Sequence, residues 1–257
     1  MSDKNRNDVL DWLVTTDPSS NNNNACQLYE PETGTWLTNS EEYRDWKNCK
    51  TRFLWLNGIP GAGKTVLFSY ICGDIKLLCR PPAIQFTATG WAYYYCYFRR
   101  AQDETPHILR WAISQLCRQL KNIPVEVYQL YEDGVQPSII QLRAAFLAVA
   151  RIFPKVYLLI DALDESVDRH NLLEFLAKTV EDPQLEHIQI LAMSRDELDM
   201  RLGLKDITIE ISLSNPLVDN DIRLFLQQQL KTAAFQTWSE DLCLKVEIAL
   251  VKGAKGM

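Results

Sequence analysis

The octet 58–65, GIPGAGKT, constrains the fold of this chain more than any other feature of the sequence. It follows an apolar run, Phe53–Leu56, that predicts a strand, and it precedes a periodic pattern that predicts a helix. Glycines at this spacing let main-chain N–H groups approach an anion closely, and the start of the helix adds the positive end of its dipole. The sequence therefore predicts a phosphate-binding loop between a strand and a helix.

The residues that we predict to bind the nucleotide are those of the loop and the first helical turn: Gly58, Pro60, Gly61, Ala62, Gly63, Lys64, Thr65 and Val66. The Lys64 ammonium would reach the β- and γ-phosphates of ATP or GTP, and the Thr65 hydroxyl would bind Mg²⁺. The alternative is a glycine-rich turn with an unrelated lysine, which the strand before and the helix after it disfavour.

A second candidate element is the acidic segment that follows the apolar run Val156–Ile160. Asp161 comes directly after this predicted strand, so we expect its carboxylate at the carboxyl edge of a parallel sheet. There it would hold Mg²⁺ together with Thr65. Asp164 and Glu165 would orient the attacking water or accept its proton. The alternative for these carboxylates is a solvated acidic turn or a helix cap.

Arg195 follows a third predicted strand, His187–Met193. A cation at the carboxyl end of a strand could contact the γ-phosphate in a catalytic or sensing role. A surface ion pair with Asp196 or Glu197 explains the same residue equally well.

Apolar runs and periodicity predict alternating strands and helices, which indicate a mainly parallel five-stranded sheet in a three-layer α/β/α fold. The predicted strands are Phe53–Asn57, Trp91–Phe98, Val156–Ile160, His187–Met193 and Ile207–Ile211. One predicted helix carries Leu67, Ile71, Ile75 and Leu78 on one face and stops at Pro81-Pro82. A second has Thr105 as its N-cap and Pro106 as its first helical residue, a third starts at the capping box Ser138–Gln141, and a fourth lies around Leu172–Val180.

Three segments divide the chain. Residues 1–50 are predicted to form an N-terminal linker and cap, with a short helix at Asn7–Val14, a polar loop or linker at Thr15–Asn24 and a helix start at Ser40. Residues 51–213 form the nucleotide-binding core. Residues 214–257 begin a helical subdomain in which Asp219 and Ser239 each cap a helix.

Composition narrows the partners that we expect. A net charge of −6 gives no general attraction to nucleic acid or to anionic membranes. Seven cysteines without a C-x-x-C pair favour a reducing compartment, and three histidines in no array disfavour a transition-metal site. With neither a signal-peptide pattern nor an apolar run of membrane-spanning length, we expect a cytoplasmic protein with no nucleic-acid and no membrane partner.

Three motifs, LWLNGIPGAGKT, LLIDALDE and MSRDE, together resemble the NACHT division of the signal-transduction P-loop NTPases. The segments TGTWLTNSEEYRDWK, YYYCYFRRAQDET, RWAISQLCRQL and SNPLVDNDIRLFL narrow the resemblance to the nephrocystin-3-like N-terminal NACHT domains that are abundant in filamentous fungi. The resemblance runs from about Asn7 to Met257. By position, Gly58, Gly63, Lys64 and Thr65 match the phosphate-binding motif, Asp161, Asp164 and Glu165 the acidic motif, and Arg195 the first sensor position.

The resemblance implies a nucleotide-dependent switch. ADP would hold a closed form, and exchange for ATP with self-association through the domain would give a signalling form. Relatives continue into ankyrin, WD40 or tetratricopeptide repeats, often carry an N-terminal effector, and some act in non-self recognition and cell death. Ala162 stands where many relatives have Gly. The motif class also implies the sheet order five-one-four-three-two.

The sequence ends before the winged-helix part that usually clamps ADP in such switches, so we expect either a truncated chain or one that works through protein partners, with weaker ADP retention. Three rival functions stay open at this point: a small-molecule kinase, a nucleic-acid-dependent ATPase, and a nucleotide-binding scaffold without turnover.

Overall fold

The computed structural model describes residues 3–80 and 89–254. Its centre is one parallel sheet of the strands β1 (Phe53–Asn57), β2 (Gly90–Tyr95), β3 (Val156–Asp161), β4 (Ile188–Ser194) and β5 (Ile209–Ser212). The strands lie in the order β2-β3-β4-β1-β5. This is the predicted order, five-one-four-three-two, read from the other edge of the sheet, so that prediction is confirmed.

The helices of the described chain are α1 (Asp3–Leu13), α2 (Ser19–Leu28), α3 (Thr35–Thr38), α4 (Glu41–Lys47), α5 (Lys64–Leu78), α6 (Thr105–Gln119), α7 (Val125–Glu132), α8 (Ile139–Ala150), α9 (Arg169–Glu181), α10 (Leu198–Leu204), α11 (Pro216–Leu230) and α12 (Glu240–Ala254). Short 3₁₀ turns lie at Phe98–Arg100, Leu163–Glu165, Pro183–Leu185 and Ala233–Phe235. The sequence did not predict α3, α7 and α10.

Two apolar layers enclose the sheet because successive strand residues point to opposite faces. In β1, Phe53 and Trp55 pack with α1, α6, α8 and α9, whereas Leu54 and Leu56 pack with α4 and α5. Every residue of β3 and of β4 is buried. The predicted three-layer α/β/α architecture is confirmed.

The predicted linker Thr15–Asn24 is wrong, because α2 begins at Ser19 inside it. Asp17 Oδ1 accepts a hydrogen bond from Ser19 N at 2.8 Å, and Asn22 Oδ1 accepts one from Tyr95 Oη at 3.0 Å. Ala25 is buried in the same helix, which packs against α5. Tertiary packing here overrides the weak helix propensity of the asparagine run.

The aromatic strand is also shorter than predicted. It ends at Tyr95, and Phe98–Arg100 forms a 3₁₀ turn. The reason is Arg100, whose guanidinium turns back to donate to Tyr95 O at 2.9 Å and to the buried Glu104 carboxylate at 3.1 Å. Arg100 therefore closes this turn.

Several predicted helix details shift by a few residues. Thr105 is the first helical residue of α6 rather than its N-cap. Asn215 caps α11 in place of Asp219, since its Oδ1 accepts from Leu217 N at 2.9 Å. In α5, Leu78 is 45% exposed and Phe68 is buried, so the apolar face is rotated from the predicted one. The caps Ser40, Ser138 and Ser239 are confirmed, and Pro81-Pro82 lies outside the described residues.

Candidate functional site

The topology brings the predicted site residues to one edge of the sheet. Strands β3, β4 and β1 are consecutive neighbours and run parallel, so their carboxyl ends meet at the same edge. Asp161 ends β3, Arg195 follows β4, and the loop Gly58–Gly63 follows β1. Main-chain contact between Gly58 N and Ser194 O at 3.3 Å ties the start of the loop to the end of β4.

The loop uses its glycines for two different reasons. Gly61 and Gly63 have φ angles of 84° and 74°, which residues with a side chain rarely adopt. At Gly63 the backbone conformation is the reason for the glycine, because a Cβ there would meet no atom within 4 Å. At Gly58, by contrast, a Cβ would lie 3.0 Å from the Leu213 Cβ, so a side chain there would have to displace Leu213 slightly. The loop is thus bent by left-handed residues and open toward the side on which a ligand would approach.

Lys64 is the first residue of α5, and its side chain folds over the loop. Its Nζ donates to Gly58 O at 2.7 Å and to Ile59 O at 2.9 Å. Partial burial lowers the pKa of this ammonium, while the nearby carboxylates of Asp164 and Asp161 oppose that effect. The cation therefore lies at the loop and close to the acidic segment, as the sequence predicted.

Asp161 is the most perturbed carboxyl of the site. It is 1% exposed, and burial raises its pKa to about 7, whereas the Thr65 hydroxyl, the Ala162 N–H and the Lys64 ammonium favour its ionised form. Its Oδ1 is buried without a hydrogen-bond partner in the described structure. A buried oxygen of this kind is costly unless something binds it. A carboxylate beside a hydroxyl matches the oxygen ligands that Mg²⁺ prefers, so the pair of Asp161 and Thr65 fits this ion.

Asp164 and Arg195 contact each other directly. The Arg195 N–H donates to Asp164 Oδ1 at 2.9 Å, and Arg195 Nε lies 3.2 Å from Asp164 Oδ2. The alternative partners are engaged elsewhere, since Asp196 pairs with Arg201 and Glu197 with Arg169. Both oxygens of Asp164 thus hold Arg195 at the end of β4.

Glu165 faces the end of β2. Its Oε2 accepts a hydrogen bond from Phe98 N at 3.0 Å. Ala162, which starts the turn before it, has a φ of 58°, the left-handed conformation that glycine adopts more readily. The small side chain of Ala162 keeps this turn possible, and the turn sends Asp164 and Glu165 to different neighbours.

An apolar cleft of about 760 Å³ adjoins the loop. Gly61, Gly63 and Val66 form its floor, the N-terminal cap forms one wall, and α11 and α12 form the other. The sequence predicted a helix in this region but not its contribution to the cleft, for which the Asn215-Pro216 helix start shortly after β5 was a signal. The residues that line the cleft on its two walls include Tyr29, Glu30, Thr33, Trp36, Val218, Asp221 and Ile222.

The family model of the nephrocystin 3 N-terminal region matches residues 32–195, more than half of the chain. The chain belongs to this nephrocystin 3 N-terminal family. The matched region contains the loop, Asp161, Asp164, Glu165 and Arg195. Together with the sheet order, the match confirms the predicted NACHT-type P-loop NTPase, a fold class that binds nucleotides.

A curated relative supports the same assignment. Over 218 residues the chain is 26% identical to the vegetative incompatibility protein HET-E-1 of Podospora anserina. The match covers 79% of this chain but 15% of that protein, so the chain spans a small part of its relative's length.

Solved structures resemble the chain only loosely. The Drosophila ORC bound to DNA matches with a TM-score of 0.45 and 15% identity, over 98% of this chain and 57% of that one. The Aeropyrum pernix ORC1 protein in complex with DNA matches with a TM-score of 0.47 and 11% identity, over 94% and 58%. At these TM-scores, the two solved structures carry no argument about what this member of the nephrocystin 3 N-terminal family binds.

Across residues 3–80 and 89–254, no helix combines the length and apolarity that a bilayer crossing requires.

Proposed function

We propose that this chain binds ATP or GTP with Mg²⁺, hydrolyses it slowly, and serves as the nucleotide-dependent switch of a NACHT-type signalling protein. The observation that carries the proposal is the buried, unpartnered Asp161 Oδ1 beside Thr65, at the sheet edge where Lys64 covers a glycine loop. A metal ion held by Asp161 and Thr65 would satisfy this oxygen, and the loop would bind the phosphates.

The residues of the chain would divide the work in three parts. Main-chain N–H groups of the loop and the first turn of α5 would bind the phosphates, and Lys64 would offset their charge. Thr65 and Asp161 would hold Mg²⁺, which neutralises the charge that develops on the transferred phosphoryl group. The base and ribose would lie in the cleft between the cap and α11.

Asp164 and Glu165 would take different roles. Because Arg195 engages both oxygens of Asp164, we propose that Asp164 fixes the guanidinium where it can contact the γ-phosphate. Glu165 uses Oε2 for the Phe98 N–H, and we propose that its carboxylate orients the attacking water and accepts its proton.

The signalling role is proposed from the family and from HET-E-1, whose name ties it to vegetative incompatibility. In a fungal receptor of that kind, the nucleotide state would control self-association through this domain and contacts with repeat or effector domains or with other protein partners. We propose a cytoplasmic location, with neither nucleic acid nor membrane as a partner.

The test is nucleotide binding and phosphate release with ATP and GTP, each with Mg²⁺ and with EDTA, together with size on a calibrated column in a nonhydrolysable analogue. We expect Mg²⁺-dependent binding, slow turnover, and a larger assembly with the analogue. If neither ATP nor GTP bound in the presence of Mg²⁺, the proposal would be overturned.

Two variants separate the acidic residues. Glu165→Gln should lower turnover about 100-fold with little change in affinity, the size of a typical general-base contribution. Asp164→Asn should lower turnover less, because its effect passes through Arg195. The control is Glu174→Gln on the exposed face of α9, which should leave both quantities unchanged. Normal turnover of Glu165→Gln would remove Glu165 from the proposed chemistry.

A further inference from the structure

Asp221, on α11, joins the two walls of the cleft. Its Oδ2 accepts a hydrogen bond from Gly34 N at 2.8 Å and another from Trp36 Nε1 at 2.9 Å. Both donors belong to the N-terminal cap, about 185 positions earlier in the chain. Hydrogen bonds to an ionised acceptor are about twice as strong as neutral ones, and here one carboxylate oxygen receives two of them.

The cap end of this contact is fixed to the helix that carries the phosphate-binding residues. Gly34 is buried with a φ of 75°. A Cβ at Gly34 would lie 2.7 Å from Leu67 Cδ1 and 3.1 Å from Tyr70 Cδ1, both on α5. The turn that Asp221 binds therefore rests directly on α5, which begins with Lys64 and Thr65.

The other end belongs to a helical segment, α11 and α12, that has little burial of its own. Val218 is the single buried residue of α11 in the described structure, and α12 buries none. Other polar side-chain contacts of these helices join them to each other, as with Arg223 and Glu247, or stay within one helix, as with Lys245 and Asp241. Val218 and Ile222 of α11 pack against the apolar layer on the α5 side of the sheet, and Asp221 adds the polar side-chain contact that joins the segment to the Gly34–Trp36 turn.

We infer that Asp221 is a positioning residue for the nucleotide site, which holds the helical segment and the Gly34–Trp36 turn together against α5. This inference rests on the proposed function, because it assigns the cleft to the base and ribose. Without the contact, nucleotide binding must also order α11 and α12, which lowers the apparent affinity.

The experiment compares Asp221→Ala, Asp221→Asn and Trp36→Phe in the full chain, with Asp219→Asn on the same helix as the matched control. We measure affinity for Mg²⁺·ATP and Mg²⁺·GTP, turnover at saturation, and hydrogen exchange without nucleotide. We expect about tenfold weaker binding for Asp221→Ala and about threefold for Asp221→Asn, whose amide oxygen still accepts, with turnover at saturation unchanged. Trp36→Phe, which keeps the ring but removes the N–H, should also weaken binding about threefold.

Hydrogen exchange gives a readout that does not depend on nucleotide. In Asp221→Ala the amides of α11 should exchange faster, while those of β1 and β3 keep their protection. A wild type that binds no nucleotide would defeat the proposed function, and the exchange comparison would still decide whether Asp221 places the segment. Wild-type affinity together with wild-type protection in Asp221→Ala would overturn the inference.

A second design keeps the test decisive if Asp221→Ala does not fold. In a double-mutant cycle of Trp36→Phe and Asp221→Asn, coupled effects on affinity support the contact. Strictly additive effects would contradict it.

Discussion

The central sheet and the helical segment α11–α12 differ in what fixes their positions. All residues of β3 and β4 are buried, so the strand ends that carry Asp161 and Arg195 have little freedom. In α12 no residue is buried, and Leu244 and Ile248 are 54% and 58% exposed. The difference teaches that the proposed phosphate and metal side of the site is fixed by packing before any ligand binds, whereas the proposed base side is set by few contacts.

The largest expected effect comes from removing the Lys64 ammonium, which lies on the side of the site that the buried sheet fixes. Lys64→Ala should weaken nucleotide binding roughly 100-fold or more, because charge-assisted contacts to phosphate are lost. Calorimetric titration with Mg²⁺·ATP and Mg²⁺·GTP measures this effect. Lys76→Ala, in the last turn of the same helix, is the control and should bind normally. Unchanged affinity in Lys64→Ala would remove the phosphate-binding assignment of the loop.

Matched leucine truncations test the difference in burial directly. Leu191→Ala in β4 should lower the free energy of unfolding by about 2–5 kcal/mol, since it leaves a cavity in a fully buried layer. Leu244→Ala in α12 should change it by about 0.5 kcal/mol or less. Denaturant unfolding of both variants measures these changes. Equal losses of unfolding free energy in the two variants would contradict the proposed difference between β4 and α12.

We expect the Asp161 carboxylate to be needed for metal binding but to lower the free energy of unfolding of the metal-free protein. Its pKa of about 7 is above the unfolded value of about 4, so the fold disfavours its ionised form. This cost is fully present at pH 8 and shrinks progressively as the pH falls from about 7 towards about 4. In EDTA at pH 8, the free energy of unfolding of Asp161→Asn should therefore exceed that of wild type by on the order of 2–4 kcal/mol. At pH 5 the difference should be smaller.

The same variant should bind Mg²⁺·nucleotide poorly. Thermal unfolding at the two pH values, beside titration at pH 8, measures both effects. A variant less stable than wild type at pH 8 would show that the buried carboxylate is satisfied in some other way.

The smallest expected effect sharpens the comparison through two matched helix caps. Ser138 Oγ accepts from Gln141 N, and Ser239 Oγ accepts from Leu242 N, each at 3.3 Å. Ser138→Ala should lower the free energy of global unfolding by about 1 kcal/mol. Ser239→Ala should instead fray the start of α12, seen as faster local hydrogen exchange, with the global value unchanged. Equal global losses would mean that α12 unfolds together with the sheet.

The sequence predicted the rigid region well for a physical reason. Strands β1 and β3 contain continuous apolar runs, and the run of β4 is interrupted at Gln189. Such runs in alternation with helices leave few arrangements other than a covered parallel sheet. Lys64 and Thr65 begin a helix and Asp161 ends a strand, so the sequence also predicts their positions at one edge of the sheet. The order of the strands came from the motif class and not from periodicity.

What the sequence could not predict depends on contacts between residues that are far apart in the chain. The asparagine run of α2 becomes helical only because it packs on α5 and Tyr95. The partner of Arg195 lies 31 positions away, and that of Trp36 lies 185 away, and neither pair carries a local pattern. For Arg195 the sequence offered Asp196 or Glu197 as a partner, and for Trp36 it offered none.

The most direct measurement is a crystal structure of the chain with a nonhydrolysable triphosphate and Mn²⁺ in place of Mg²⁺, in which the anomalous signal locates the metal. We predict that the metal binds the Thr65 hydroxyl and faces the Asp161 carboxylate, with the triphosphate on the main-chain N–H groups of the loop and the base beside Asp221. A triphosphate bound away from the loop, or a metal remote from Asp161, would contradict the nucleotide site proposed for this chain.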